Sequence, residues 1–466
     1  MFHWRNLIPL ALLAAVFDGA LRKWFFPGIA NYLYFLKDVI LIAAYFQFFF
    51  LERIHPKIPP QFRNVVPLFI LVAAYIGLQI FNPSLGSPIA GLMGLRNYFV
   101  YLPLVVVLPH VFRTEEELFR FLRFFVILMI PVGILGVIQY LSPASSWINR
   151  YVGEVSEAGA NVVRFGEGRA RITGTFSYIG GYASHLTFVF ALLVPLLLST
   201  TKGSKTRELM LLALGLTLVN MLMTGSRSPV YASILLTGMF FGVLIIHFPI
   251  DFAKYTPRLA LLGIIGFIAI TQSPAFNAFV DRATANNARS DSRADPLYWA
   301  KAYTDLFRYK NDFGWGTGAL HQATDSLRDI LHLPAGAEPP TLEDEPDRIL
   351  AELGPAGFIL WYLLRLILLY MLWKVYRRLK RPNLRNLALA AFLFTGLLFV
   401  GQMVFHHTNG IYYWYMTAFI GLLPKLEAAE NEKIRRIKMV ILAKALLEQQ
   451  NQEEEEDRAP ALAGSA

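Results

Sequence analysis

Long apolar runs separated by short polar breaks recur along most of the 466-residue chain. A helix needs roughly 20 apolar residues to cross a bilayer, and on that measure the pattern predicts about twelve transmembrane segments. They fall at 6–24, 30–51, 65–81, 94–111, 121–141, 178–199, 208–224, 229–248, 257–273, 349–373, 387–405 and 411–424. The predicted fold class is an all-α polytopic membrane protein, because helices satisfy their own backbone polar groups in lipid. Residues 7–17 have the length of a signal-peptide core, but no small-residue cleavage site follows them. A retained anchor helix is expected there.

Two polar stretches, 142–177 and 273–347, are long enough to fold above the membrane. The expected organisation is a polytopic domain over 1–425 that includes both loops, then a tail over 426–466. In the tail, 426–447 reads as an amphipathic, charge-rich helix. The acidic run Glu453-Glu454-Glu455-Glu456-Asp457 and the Ala/Gly/Pro end read as disordered. No repeat of fixed period is visible, and no second half mirrors the first as in many transporters.

Charge orients the frame. With the N-terminus inside, short cytoplasmic loops collect Arg53, Lys57 and Arg63, then Arg113 and Arg120, then Lys202, Lys205 and Arg207. Lys254 and Arg258 follow, and last a cluster from Lys374 to Arg385; the opposite loops 82–93 and 406–410 hold no Lys or Arg. Both termini are therefore assigned to the cytoplasm. Composition agrees with the class: 55% of residues are hydrophobic and 16% charged, which excludes an ordinary soluble domain. Topology and lipid contact account for the net charge of +10, so no nucleic-acid partner is called for. With no cysteine, thiol chemistry and disulfides are excluded.

Against that frame, arginine collects on the outward side. Arg96 begins the fourth span, Arg164, Arg169 and Arg171 lie in the first outer loop, and Arg227 sits in the short turn Thr224-Gly225-Ser226-Arg227. The large loop adds Arg282, Arg289, Arg293, Arg308 and Arg328, with Arg348 at its exit. Long translocated loops tolerate cations, but Arg96 and Arg227 lie tight against helix ends in short connections, against the usual bias. Ser228 and Pro229 read as the N-cap and first residue of the next helix, so Arg227 stands beside a positive helix end. That combination suits a phosphate-bearing ligand.

Carboxylates supply a second candidate chemistry. Glu343-Asp344-Glu345-Pro346-Asp347 precedes the chain's return into the membrane. The run reads as solvated surface, as a charge complement to a helix N-terminus, as a general base for a sugar hydroxyl, or as a hard-cation site. His185, His321, His406 and His407 read as structural, with no paired metal spacing. Gly314-Trp315-Gly316-Thr317-Gly318 lacks the strand and helix of a nucleotide loop. Within the spans, Asp18, Arg22, Lys37 and Asp38 are expected to form a charge network under the outer cavity, and Arg365 to snorkel or face a lipid phosphate path.

The order of these short motifs resembles the O-antigen ligase and Wzy-type polysaccharide polymerase superfamily, over roughly 90–425. The matching stretches are 171–176 (Arg-x-x-Gly-Thr-Phe), 224–227 (Thr-Gly-Ser-Arg), 293–299 (Arg to Trp), 314–316 (Gly-x-Gly) and 352–357 (Glu-x-Gly-x-x-Gly). The resemblance implies a GT-C type glycosyltransferase architecture with a large extracytoplasmic loop in a bacterial plasma membrane. It implies transfer of a glycan from an undecaprenyl-pyrophosphate carrier to an acceptor hydroxyl, with inversion and without a metal or other cofactor. By the same resemblance Arg171, Arg227 and Arg293 bind the pyrophosphate; the reading of outward charge adds Arg96 and Arg348 as candidates for the same ligand. Ligases of the superfamily carry a His-Asn pair where this chain has Glu343 and Asp344, which makes these two carboxylates the candidate catalytic pair and favours a polymerase over a lipopolysaccharide ligase. Implied partners are the lipid-linked donor, the glycan acceptor, membrane lipids, and export or chain-length proteins. The competing reading is a transporter of lipid-linked glycans or anions, which would use Asp18, Lys37, Asp38 and Arg365 along a two-sided path. A third is a non-catalytic assembly subunit, which would tolerate loss of Arg227.

Overall fold

The computed structural model describes residues 3–53, 62–152, 162–165, 168–247, 276, 280, 312–321, 323–339, 342 and 344–463. Among the described residues, eight helices are long and apolar enough to cross a membrane: Trp4–Phe25, Pro27–Leu51, Pro88–His110, Glu115–Leu141, Ile179–Ser199, Lys205–Met223, Arg227–His247 and Glu345–Arg378. The chain is an all-α, multi-pass membrane protein. Shorter helices answer three further apolar runs, at Val66–Phe81, Pro382–Leu397 and His407–Thr417. The expected span at 257–273 lies outside the described residues. A two-strand ladder, Arg164–Phe165 against Arg169–Ala170, is the β structure among the described residues.

The helices that position the site are α1 (Trp4–Ala20), α2 (Leu36–Phe46), α3 (Pro88–Phe99), α4 (Ile179–Ser199) and α5 (Arg227–His247). They are followed by α6 (Glu345–Arg378), α7 (Pro382–Leu397), α8 (His407–Thr417) and α9 (Phe419–Ala463). Helix α8 is buried along almost its whole length, as expected of a helix apolar on every face. Its Tyr412 stacks on Phe188 of α4 at 3.9 Å between ring centroids and shares a 2.8 Å hydrogen bond with His185. His185 is thus a satisfied core histidine, as its sequence context suggested.

Helix α6 bends at Gly354, whose φ of 68° lies in the left-handed region. Pro355 follows and lacks the backbone donor that would meet the Ala351 carbonyl, which instead accepts the Trp315 N–H at 2.8 Å, while the Leu353 carbonyl at the bend accepts the Tyr75 hydroxyl at 2.8 Å. Two sequence expectations change here. Arg365 neither snorkels nor faces lipid: it is wholly buried and paired with Glu345. Helix α9 runs unbroken through the acidic run to Ala463, because glutamates are good helix formers even where charge density suggests disorder.

The connections at 142–152, 224–226 and 398–406 lie at one end of the bundle, where Tyr151 donates to the Arg171 carbonyl and Arg171 to Thr224 and Ser226, and that at 379–381 lies apart from them. Contacts fix this grouping: Gly180, Ser226, Leu398 and His406 border one cavity, whereas Arg381 pairs with Glu115 and Lys380 bonds Glu427 at the far end.

Candidate functional site

The turn singled out in the sequence folds as two helix ends joined by a glycine. Lys205–Met223 stops, Gly225 takes a φ of 60°, and α5 begins at Arg227. Ser228 and Pro229 therefore lie inside the first turn of α5, as its second and third residues, and the helix starts two residues earlier than expected. The Thr224 hydroxyl accepts the Ser226 N–H at 3.1 Å, which closes the turn locally. Serine and threonine commonly compete for backbone donors in this way.

Arg171 comes to the same turn from 53 residues away. Its Nε donates to the Thr224 carbonyl at 2.8 Å and its Nη2 to the Ser226 hydroxyl at 2.7 Å. Two sequence-predicted phosphate arginines, Arg171 and Arg227, are thereby brought to one turn, both half-buried. The segment carrying Arg171 is clamped from two sides. Gln139 Oε1 accepts the N–H groups of Thr173 and Gly174 at 3.2 and 2.7 Å. The buried Lys23 Nζ donates to Thr173 Oγ1 at 3.0 Å and to the Gly174 carbonyl at 2.8 Å. On the α1 side there is no room for a side chain at Gly19, where a Cβ would stand 2.2 Å from the Ser177 nitrogen.

Beside this turn lies a cavity of about 450 Å³ between α4, α5, α7 and the 398–406 connection. Ser226, Ser228, Ser184, Gln402, Asn409 and His406 give it polar groups, and Tyr231, Leu235, Phe394 and Leu397 give it apolar walls. A few polar groups in a mostly apolar cleft is the usual composition of a ligand site. His406 Nδ1 accepts the Asn409 N–H at 3.3 Å, so the neutral ring carries its proton on Nε2 and offers a donor there. Burial lowers its pKa to about 4, with Lys37 adding to the effect, which keeps the ring neutral near pH 7.

The next residue, His407, starts a second polar cluster. Arg96 Nη1 lies 3.5 Å from its Nε2, and the His321 ring lies 5.9 Å from its ring. Arg96 directs Nε (2.8 Å) and Nη2 to Asp38, whose other oxygen accepts the Tyr101 hydroxyl at 2.7 Å. The Arg96 guanidinium also covers the Tyr34 and Phe35 rings. Its charge is thus committed to an interhelical pair, and Lys37 is similarly paired with Asp18 at 3.3 Å. The network expected from Asp18, Lys37 and Asp38 exists as contacts between helices, while Arg22 donates to Ser177 Oγ and the Ala30 carbonyl. Burial lowers the His321 pKa to about 4, and Arg96 and Arg348 push in the same direction.

The acidic run divides. Glu343 and Arg293 lie outside the described residues. Asp344 is the half-buried N-cap of α6, and Arg348, one turn in, donates Nε to the Leu342 carbonyl at 2.8 Å and covers the Phe405 ring. Glu345 turns fully inward, where its Oε2 accepts the N–H groups of Met403, Val404 (2.7 Å) and Phe405 (3.4 Å). Further along, Glu352 is a clamp. Its carboxylate accepts Gly318 N–H at 2.9 Å, Leu320 N–H at 3.1 Å and the Tyr98 hydroxyl at 3.0 Å. The Gly-x-Gly and Glu-x-Gly motifs therefore touch, with Trp315 and Gly316 N–H donating to the Ala351 and Glu352 carbonyls.

Sequence reasoning passed over the hub of this end. The 403–407 segment touches Glu345, Arg348, the cavity, Arg96 and His321 in five consecutive residues. The available signal was a His-His pair in a turn at the end that collects arginine. Among the described residues, no group of three or more His, Asp and Glu is placed to hold a metal. No protein-family model matches the chain, and no curated protein matches it.

Proposed function

We propose that this protein is a membrane glycosyltransferase of the polysaccharide polymerase or ligase kind, polymerase favoured, with about twelve spans in a GT-C type architecture. In this reading it lies in a bacterial plasma membrane with both termini in the cytoplasm, and the Arg227 end faces outward. The observation that carries the proposal is the meeting of Arg171 and Arg227 at one turn that walls a cavity. Scattered solvent arginines would have no reason to converge in this way.

The chemistry follows from that placement. A hydroxyl oxygen of the acceptor glycan attacks the anomeric carbon of a polyprenyl-pyrophosphate-linked glycan. The bond from that carbon to the phosphate oxygen breaks, and its electrons leave with the pyrophosphate. Negative charge grows on the leaving group, where Arg171 and Arg227 act, with Arg293 a third candidate from the sequence. The hydroxyl proton passes to a carboxylate, for which Glu343 and Asp344 are the candidates. Asp344 is the N-cap of α6 and precedes Glu345, whose carboxylate is bonded to the backbone just before His406, which supports its candidacy.

The transporter reading is disfavoured by pairing. Asp18, Asp38 and Arg365 bond to Lys37, Arg96 and Glu345, inside the helix packing. Reconstitution with an undecaprenyl-pyrophosphate oligosaccharide tests the proposal. Wild type should lengthen the glycan, and Arg227→Ala and Glu343→Gln should each lose that activity. Lengthening that persists unchanged in both variants rules out these assignments.

A further inference from the structure

The buried ion pair Glu345–Arg365 lies outside the proposed transfer chemistry, yet Arg365 bonds the cavity-lining Leu398 and Glu345 bonds the backbone between the lining residues Gln402 and His406. The two side chains are fully buried and 3.3 Å apart. Arg365 Nη2 donates to the Leu398 carbonyl, and its guanidinium lies over the Tyr362, Phe399 and Tyr413 rings. Glu345 accepts three successive backbone N–H groups at 403–405. The pair thus holds the 398–405 connection at both ends, and Leu398, Gly401, Gln402 and His406 are cavity lining.

Such a pair is a poor source of net stability. Desolvating two charges offsets most of their attraction, and apolar replacements of equal volume often serve as well. Its distinctive property is directional: a carboxylate with three converging N–H donors and a planar guanidinium accept one geometry and penalise others. We propose that Glu345 and Arg365 are positioning residues that fix the shape of the cavity wall and the place of His406. Glu345 also adjoins Asp344 and lies one turn before Arg348, whose guanidinium covers the ring of Phe405 in the held segment. The kinetic part of this inference rests on the transferase reading; the geometric part does not.

The absence of cysteine from the chain allows a clean test. A single Val404→Cys reporter lies in the held segment, where Val404 is 1% exposed. A single Leu384→Cys reporter lies at the far end, where Leu384 is wholly buried. Each is placed in full-length protein with or without Glu345→Gln, and its modification by a water-soluble maleimide is timed. The expected result is a rate at 404 raised about tenfold, the factor that about 1.4 kcal/mol gives an opening equilibrium, with the rate at 384 unchanged. Arg365→Lys, which keeps the charge but loses the planar fork, should act in the same direction and serves if Glu345→Gln does not fold. Glu115→Gln, which breaks the Arg381 pair at the far end, should leave the rate at 404 as in wild type. Equal rates at 404 in wild type and both variants overturn the latch, as does a parallel rise at 384, which marks general loosening. In the transfer assay Glu345→Gln should lower kcat with the donor KM altered less than twofold, and unchanged kcat and KM beside a loosened 404 would overturn the positioning role. If wild type transfers no glycan, the transferase reading fails, while the labelling rates still decide the latch.

Discussion

The two ends of the bundle keep charge inside to different degrees. At the Arg227 end, Lys37, Asp38, Arg96, Glu345 and Glu352 are drawn inside, and each has a named partner. At the other end one pair, Arg381–Glu115, is largely buried, while Arg120 and Glu116 pair in the open with side chains 72% and 77% exposed, and Arg377 and Arg378 close α6 in its last turn. Exposed pairs add little stability because water already solvates both ions, whereas breaking a buried pair leaves an uncompensated charge. Desolvated charge is costly to keep, so its concentration at one end marks where the molecule needs fixed geometry. The exposed cations do the different work of orienting helices against lipid.

Removing one side of the deepest pair should sharpen this contrast most. Arg365→Ala strands Glu345 inside the bundle and should cost about 3–5 kcal/mol in thermal or denaturant unfolding in detergent. In the proposed transferase Arg227→Ala should lower transfer about 10²–10³-fold, as for loss of one group that stabilises developing charge, measured as glycan lengthening in proteoliposomes. Next in size is Gly94→Ala, where a Cβ would stand 2.1 Å from the Gly318 nitrogen, pushing apart α3 and the Gly-x-Gly loop. A loss of about 1–3 kcal/mol is expected from overpacking.

Acid should act at the same end. His321 and His406 are held neutral with pKa values of about 4, against roughly 6.5 in an unfolded chain. Between those values the unfolded chain binds protons that the folded one does not. Stability is therefore full above about pH 6.5 and is lost as pH falls toward 4. Melting curves at pH 7 and pH 5 should differ in that sense, and His321→Asn should flatten part of the difference. The smallest effect belongs to the exposed α9 pair: Arg436→Ala, breaking a contact with Glu432, should shift stability by less than about 0.5 kcal/mol. A large effect there, or a small one at Arg365, would break the comparison between the ends.

Hydrophobic spacing alone made the helical membrane class legible, along with the polar breaks that become connections. The turn at 224–227 was legible too, because an arginine in a short connection runs against topology. Pairing was not. Arg365 looked like a lone charge in a span, and its partner Glu345 was hidden in an acidic run that reads as surface. The two are 20 residues apart across the Gly354 bend, a separation that no local pattern reports. Arg96 was read as a ligand for phosphate because nothing in its neighbourhood announces Asp38, 58 residues earlier. The run at 411–424 is expected as one span, whereas it divides between His407–Thr417 and the start of α9 at Phe419, a break that apolar spacing does not report.

The most direct test is stoichiometric. Proteoliposomes holding wild type or Arg227→Ala are given a polyprenyl-pyrophosphate oligosaccharide, and new glycosidic bonds and released polyprenyl pyrophosphate are counted together. The account predicts one released carrier per bond formed in wild type, and loss of both in Arg227→Ala. Donor that crosses the bilayer without a new bond, or equal bond formation in the two proteins, would contradict it.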